Sequence, residues 1–156
     1  MGRPLVVAIG AALIVATIGG ALTDVGPWYE NLKKPALNPP NWLFAPAWTL
    51  IYGLAVAAAV VGWRSARSAN DRTLIIVLFA VNAAFNIGWS ALFFTLKRPD
   101  WALVEVALLW GSVLALVLFF RRFSPPSAYV LLPYLAWVGF AAYLNFAIVR
   151  LNAPFG

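Results

Sequence analysis

The chain has 156 residues, of which 63% are hydrophobic and only 10% are charged. Soluble domains carry about 25% charged residues, so this chain cannot cover a water-facing surface and the bilayer is its expected solvent. It contains no Cys and no His, which excludes disulfides, thiolate chemistry, the usual zinc sites and the usual ligation of haem iron. The net charge of +6 is spread over short loops rather than over one basic face, so no nucleic-acid partner is expected.

Five long apolar runs predict an all-α integral membrane protein, a single domain built as a five-helix transmembrane bundle. The predicted spans are 5–23, 46–63, 73–96, 101–120 and 127–150. The first run follows a basic residue, as a signal peptide does, but its length and the later spans favour a retained helix.

Three features within the spans predict local structure. Ala12, Ala16 and Gly20 recur every four residues, a small-residue stripe that lets another helix approach closely. Pro46 is expected to be the first residue of the second helix, where its missing N–H costs little. Pro133 is expected to kink the fifth helix.

Residues 24–45 form the one long segment that is neither apolar nor a short polar turn. Its prolines interrupt any continuous helix, and it is too aromatic for a disordered linker. We therefore predict a folded cap over a site that the spans build.

Lys33 and Lys34 within this cap are candidates to bind the carboxylates of a ligand. The cap, the turn at 97–100 and the C-terminus are expected on one side of the membrane, but basic residues divide six against five and do not predict the orientation.

Few polar groups lie within the spans. Asn82 and Asn86 share one helix face, and Asn145 lies in the fifth span; each is either interhelical hydrogen-bonding glue or a ligand contact. Glu105 is a functional candidate by its depth, or a snorkelling or ion-paired residue near the interface. The sequence contains no nucleophile–base pair and no second carboxylate at an acid–base spacing, so it predicts no conventional hydrolase or transferase site.

Aromatic residues are abundant, and several fit the interfacial belts of a membrane protein poorly. These are Trp28, Tyr29, Trp42, Trp48, Tyr52 and Trp89. A proline-braced cap over aromatic and amide groups suits a flat, mostly apolar ligand with few polar groups.

Six motifs, spread over the whole chain, carry a resemblance to a known family. They are WYENLKKP at 28–35, NPP at 38–40, AWTLIY at 47–52, NAAFNIGWSALFF at 82–94, PYLAW at 133–137 and AAYLNF at 141–146. With these motifs in this order, the sequence resembles the TspO/MBR family, the tryptophan-rich sensory proteins and mitochondrial translocator proteins.

The resemblance implies a homodimeric five-helix receptor, sensor or carrier in a bacterial membrane, with a pocket closed by the first loop. The implied ligands are porphyrins such as protoporphyrin IX and related apolar molecules, with no cofactor required. By motif position, the implied pocket residues are Trp28, Tyr29, Trp48, Asn86, Trp89 and Ala141. Trp48 and Asn86 would contact a ligand carbonyl, and a bulkier side chain at position 141 would press on the pocket.

Other functions stay open at this point. Some bacterial members degrade porphyrins slowly in light, which makes Trp28 and Trp48 candidate electron or radical partners. A small-molecule or lipid transporter and a helical scaffold are the further alternatives; the sequence contains no inverted repeat of the kind that alternating access uses. Membrane lipid is an expected partner, but sterol recognition is in doubt because Phe146 stands where the animal proteins carry Tyr.

Overall fold

Seven helices and one π-helical turn form the part of the chain that this computed structural model describes, residues 2–155. The helices are α1 (Arg3–Leu22), α2 (Pro27–Asn31), α3 (Asn41–Ser65), α4 (Ala69–Ser90), α5 (Pro99–Arg121), α6 (Pro125–Val130) and α7 (Leu132–Asn152). The π turn, Ala91–Thr95, continues α4. Five segments are long and apolar enough to span a bilayer: α1, α3, α4 with the π turn, α5, and α6 with α7. The prediction of an all-α, multi-pass membrane bundle is confirmed.

The central helix of the bundle is α5, which packs against α4, α6 and α7. Its buried side chains recur every three or four residues, as expected for a helix with one face in a helical core. They include Ala102, Val106, Leu109, Val113, Leu116 and Phe120, each at most 2% exposed. This row gives the bundle its hydrophobic core.

Two helix boundaries differ from the predictions. The second spanning helix begins at Asn41, directly after Pro40, so Pro46 lies inside α3 and the prediction that it starts the helix is wrong. Only the first four N–H groups of a helix lack an intrahelical partner, and Pro46 is the sixth residue of α3. Because proline has no N–H, this position costs α3 one backbone hydrogen bond. The fifth span is interrupted at Leu131, and Pro133 lies in the first turn of α7, where a missing N–H is tolerated.

The small-residue stripe of α1 ends at Gly19 rather than at the predicted Gly20. Gly19 is the buried glycine, and a Cβ there would lie 3.9 Å from both Asn86 Oδ1 and the Tyr52 hydroxyl. Gly20 is exposed and has no such neighbour within 4 Å. The close approach of α1 to the bundle therefore occurs one residue earlier than the four-residue repeat indicates.

Candidate ligand-binding site

A cavity of about 100 Å³ lies beneath the segment that joins α1 to α3. Half of its sixteen lining residues are aromatic, contributed by the cap, by α3, by α4 with its π turn, and by α7. The aromatic residues are Tyr29, Phe44, Trp48, Trp89, Phe93, Phe94, Trp137 and Phe140. The predicted cap thus exists and covers a cavity, and it contains a short helix, α2, that the sequence did not indicate.

The cap is held down by Tyr29, which is only 3% exposed. Its ring lies 5.6 Å from that of Phe94 and 6.4 Å from that of Phe93, both in the π turn. A π turn inserts one extra residue into a helix and is frequent at functional sites. Burial raises the pKa of the Tyr29 hydroxyl above its ordinary value, against a smaller opposing effect of Asn38. The hydroxyl is therefore neutral, and able to donate, at physiological pH.

Lys34 stabilises the cap from within. Its ammonium donates to the backbone carbonyls of Tyr29, Glu30 and Leu32 at 2.5, 3.1 and 3.2 Å. The same group lies 4.5 Å from the centre of the Tyr29 ring, a cation–π distance. These carbonyls lie in and just after the last turn of α2, and that of Tyr29 also accepts from the Leu32 N–H at 3.3 Å, so Lys34 caps the C-terminal end of α2. The ammonium group of Lys34 is thus hydrogen-bonded within the cap, and the predicted role of binding a ligand carboxylate is not supported by its contacts.

A two-point clamp joins the cap to the end of α7. The backbone N–H of Lys33 donates to Asn152 Oδ1 at 2.8 Å, and Asn152 Nδ2 donates to the Lys33 carbonyl at 2.8 Å. Across the bundle, Lys97 lies over the ring of Trp28 at 5.9 Å. These contacts place the cap, the 97–100 turn and the C-terminal end of α7 together, as the sequence predicted.

Replacing Asn152 by Ala should loosen the cap without unfolding the bundle. A net hydrogen bond contributes about 0.5–1.5 kcal/mol, and the clamp is partly solvated, so we expect amides of residues 27–40 to exchange about fivefold faster. Hydrogen–deuterium exchange of the whole protein in detergent measures this change. Asn31→Ala, at an exposed position of α2, is the matched control. Equal exchange in the two variants would contradict a clamp at Asn152.

Asn145 ties together three parts of the site. It is 1% exposed, accepts a hydrogen bond from Trp89 Nε1 at 3.1 Å and donates to the Pro99 carbonyl at 2.8 Å. The amide therefore joins α7 to α4 and to the start of α5, and it orients the Trp89 ring against the cavity. Both Asn145 and Trp89 line the cavity, but their polar atoms are already paired with protein groups.

Two buried polar atoms in the cavity wall have no hydrogen-bond partner among residues 2–155. They are the indole N–H of Trp137 and the side-chain oxygen Oδ1 of Asn38. An unsatisfied buried polar group costs about 1–3 kcal/mol, so such atoms call for an explanation such as a missing ligand. Neither residue was singled out from the sequence, although Trp137 ends the PYLAW motif and Asn38 begins the NPP motif.

Three of the predicted site residues, Tyr52, Asn82 and Asn86, lie outside the cap cavity and form a hydrogen-bond network between helices. The Tyr52 hydroxyl donates to Asn86 Oδ1 at 2.9 Å, Asn86 Nδ2 to the Tyr134 hydroxyl at 3.2 Å, and that hydroxyl to Asn82 Oδ1 at 3.1 Å. Asn82 Nδ2 continues the chain to Ser112 Oγ at 2.9 Å. This network joins α3, α4, α5 and α7, which favours interhelical hydrogen bonding for Asn82 and Asn86. None of these side chains lines the cap cavity.

The candidates for the site are the six residues implied by the resemblance and four others, Trp42, Tyr52, Asn82 and Asn145, and the cavity brings five of these ten together. They are Tyr29, Trp48, Trp89, Ala141 and Asn145. Trp28 lies behind the cavity wall, with its ring 6.1 Å from that of Phe93. Trp42 is 71% exposed at the start of α3. The aromatic composition of the segment therefore indicated the cap, but not which of its rings point inward.

Glu105 stays a functional candidate by its buried carboxylate, but the ion pair considered for it does not form within residues 2–155. Both of its carboxylate oxygens are buried, and neither has a hydrogen-bond partner among residues 2–155. On α4, a Cβ built at Gly88 would lie 3.5 Å from Glu105 Oε1. The expected ion pair is absent from the described part of the chain, where the ion pair found joins Arg98 to Asp100.

The chain is similar to known proteins over nearly its full length. The sequence profile of the TspO/MBR family matches residues 7–151. The chain is 41% identical to "Tryptophan-rich protein TspO" of Chlorobaculum tepidum, with 95% of each chain covered. It is 38% identical to "Tryptophan-rich sensory protein" of Cereibacter sphaeroides, over 85% of this chain and 82% of the relative. It is 34% identical to "Translocator protein" of Sus scrofa, over 97% and 94%. The resemblance in the six motifs is thus confirmed, and this chain, a multi-pass integral membrane protein, belongs to the TspO/MBR family.

Proposed function

We propose that this protein is a membrane receptor or sensor that binds a porphyrin-like, flat and mostly apolar ligand in the cavity under its first loop. The observation that carries the proposal is the cavity wall, in which aromatic rings surround the unpaired indole N–H of Trp137. Aromatic faces bind flat conjugated molecules, and one donor orients them. The name of one relative, a tryptophan-rich sensory protein, supports a sensing role.

The size of the cavity adds a step to this proposal. Pockets for drug-sized ligands measure about 300–1,000 Å³, several times the 100 Å³ found here. A porphyrin therefore requires the cap to lift. The cap is attached through the packing of Tyr29 and Trp28 on the π turn, the contact of Lys97 with Trp28 and the two hydrogen bonds of Asn152. These contacts are few enough to break when a large aromatic surface is buried.

The chemistry of the wall favours the free-base porphyrin over a metal complex. The chain has no His and no Cys to ligate iron. The Asn38 oxygen and the Trp137 N–H provide one acceptor and one donor in the wall, which suit the polar substituents or ring N–H groups of an unmetallated macrocycle. Metal loading is accordingly not required for binding in this proposal.

The test is quenching of tryptophan fluorescence by free-base protoporphyrin IX, compared between Trp48→Ala and Trp42→Ala. Both residues lie in α3, but only Trp48 lines the cavity. We expect saturable quenching in the parent and an increase in Kd of about tenfold or more in Trp48→Ala, since loss of a buried aromatic contact costs roughly 1.4 kcal/mol or more. Trp42→Ala should bind as the parent does.

A second variant separates loss of binding from loss of structure. Trp48 also stacks on Tyr52, so its removal disturbs the bundle. Trp137→Phe keeps a ring in place but removes the unpaired donor, and it should weaken binding without lowering the thermal unfolding temperature. Quenching that does not saturate in the parent, or that weakens equally in Trp48→Ala and Trp42→Ala, would refute the proposed site.

A further inference from the structure

A second and larger cavity, of about 580 Å³, lies between the N-terminal half of α1 and the facing sides of α3 and α4. We call it the α1 groove. Seven of its lining residues are alanines, among them Ala12, Ala59 and Ala83. In α1 the buried residue is Gly19, near the far end of the helix. The short side chains of the N-terminal half leave open the space between this half and its neighbours.

The groove has the length of one lipid leaflet. Its lining runs along α1 from Arg3 to Val15, and twelve residues of helix rise about 18 Å. Half of a bilayer core of about 30 Å is about 15 Å. The rim is open to the side, where Val7 is 70% and Ile76 59% exposed. A molecule within the surrounding leaflet thus has direct access.

The deep end of the groove is closed by polar groups that are already paired. Tyr52, Asn82, Asn86 and Tyr134 line this end and form the hydrogen-bonded network described above. Paired groups do not require a polar partner from a ligand, so the end of a hydrocarbon chain is tolerated there. The remaining wall is almost entirely apolar.

The outer end of the groove carries positive charge. Arg3 lines it, and the guanidinium of Arg72 lies 5.4 Å from the ring of Trp63, which also lines it. Neither arginine forms an ion pair within residues 2–155. The neighbouring carboxylate of Asp71 accepts hydrogen bonds from the backbone at 67 and 68 instead, where it caps α4. This end therefore complements an anion at the membrane surface.

We propose that the α1 groove binds one acyl chain of an anionic phospholipid, whose headgroup phosphate is held by Arg3 and Arg72. The groove is walled on both sides, is about as long as one leaflet and has cations at its outer end. These features match a lipid chain with an anionic headgroup. The inference does not depend on the ligand of the cap cavity.

The test is native mass spectrometry of the purified protein with dioleoyl phosphatidylglycerol or, at equal concentration, dioleoyl phosphatidylcholine. We expect saturable retention of one phosphatidylglycerol per chain, in preference to phosphatidylcholine. Ala59→Phe, which fills the groove, should abolish this retention. Ala57→Phe places the same ring on the exposed side of the same helix and should leave retention unchanged.

Arg3→Gln tests the headgroup site at an exposed residue that is not packed in the bundle. We expect it to reduce the retention of phosphatidylglycerol about fivefold and to leave that of phosphatidylcholine unchanged. The proposal is overturned by equal retention of the two lipids in the parent, or by equal retention in Ala59→Phe and Ala57→Phe with native helical content. A change in the monomer–dimer ratio of Ala59→Phe without a change in lipid retention would instead place a second copy in the groove.

Discussion

Replacing Ala141 by Phe should weaken the binding of protoporphyrin IX by more than tenfold. Ala141 lines the cap cavity from α7, opposite the rings contributed by the cap and the π turn. Only about 100 Å³ is free there, and a phenyl group at this position occupies the space that the ligand must enter. We expect Kd to rise by more than tenfold, which corresponds to a loss of more than about 1.4 kcal/mol of binding free energy. Fluorescence quenching by the free-base porphyrin measures this change.

The same substitution also changes the free energy of unfolding, and the sign of that change shows whether the ring fits the empty cavity or overpacks it. Filling an empty space commonly stabilises a protein by about 0.5–2 kcal/mol, whereas overpacking costs about 1–3 kcal/mol. Ala107→Phe, on the exposed face of α5, is the matched control and should change neither binding nor stability. If Ala141→Phe keeps the affinity of the parent, the ligand does not bind in the cap cavity.

Replacing Gly62 by Ala should destabilise the bundle strongly for a single methyl group. A Cβ at this position of α3 would lie 2.1 Å from Cε1 and 2.8 Å from Cζ of Phe120. Phe120 is fully buried, and the rings of Phe79 and Phe123 lie 6.2 and 5.8 Å from its own, so it cannot swing aside. We expect the cost typical of overpacking, about 1–3 kcal/mol. For a chain of this size, that lowers the unfolding temperature by roughly 2–12 °C.

Gly53→Ala, in the same helix, is the matched control. Nothing lies within 4 Å of a Cβ at Gly53, so this change should stabilise the helix slightly, by about 0.5–1 kcal/mol. Thermal unfolding in one detergent and at one scan rate compares the two variants. Phe120→Leu should lose less stability in the Gly62→Ala background than in the parent, because the two side chains compete for one space. Equal unfolding temperatures of Gly62→Ala and Gly53→Ala would contradict this packing.

The candidate site shows where sequence reasoning works and where it fails. The prolines and aromatic residues between positions 24 and 45 were sufficient to predict a folded cap, because their composition excludes both a continuous helix and a solvated linker. They were not sufficient to separate Tyr29, which lines the cavity, from Trp42, which faces outward. The direction of a ring depends on helix rotation and on the exact start of α3, and the sequence placed that start five residues late.

The asparagine residues within the spans show the same limit of sequence reasoning. Their rarity at membrane depth correctly indicated that they form hydrogen bonds. Whether the partner is a ligand or another helix depends on which helices meet, and the structure pairs Asn86 with Tyr52 and Tyr134, and Asn145 with Trp89. Trp137 could have been included through the PYLAW motif, but its unpaired N–H is visible only once its neighbours are in place.

The sequence by itself determined that this chain is a five-helix membrane protein, that a folded cap joins its first two spans, and that it belongs to the TspO/MBR family. These properties follow from composition, hydropathy and motif order, which do not depend on how the helices pack. Only the tertiary structure decided which residues share the cap cavity, that Gly19 rather than Gly20 meets the bundle, and that a separate groove opens beside α1. These features depend on the rotation of each helix about its axis, and contacts between residues far apart in the chain set that rotation.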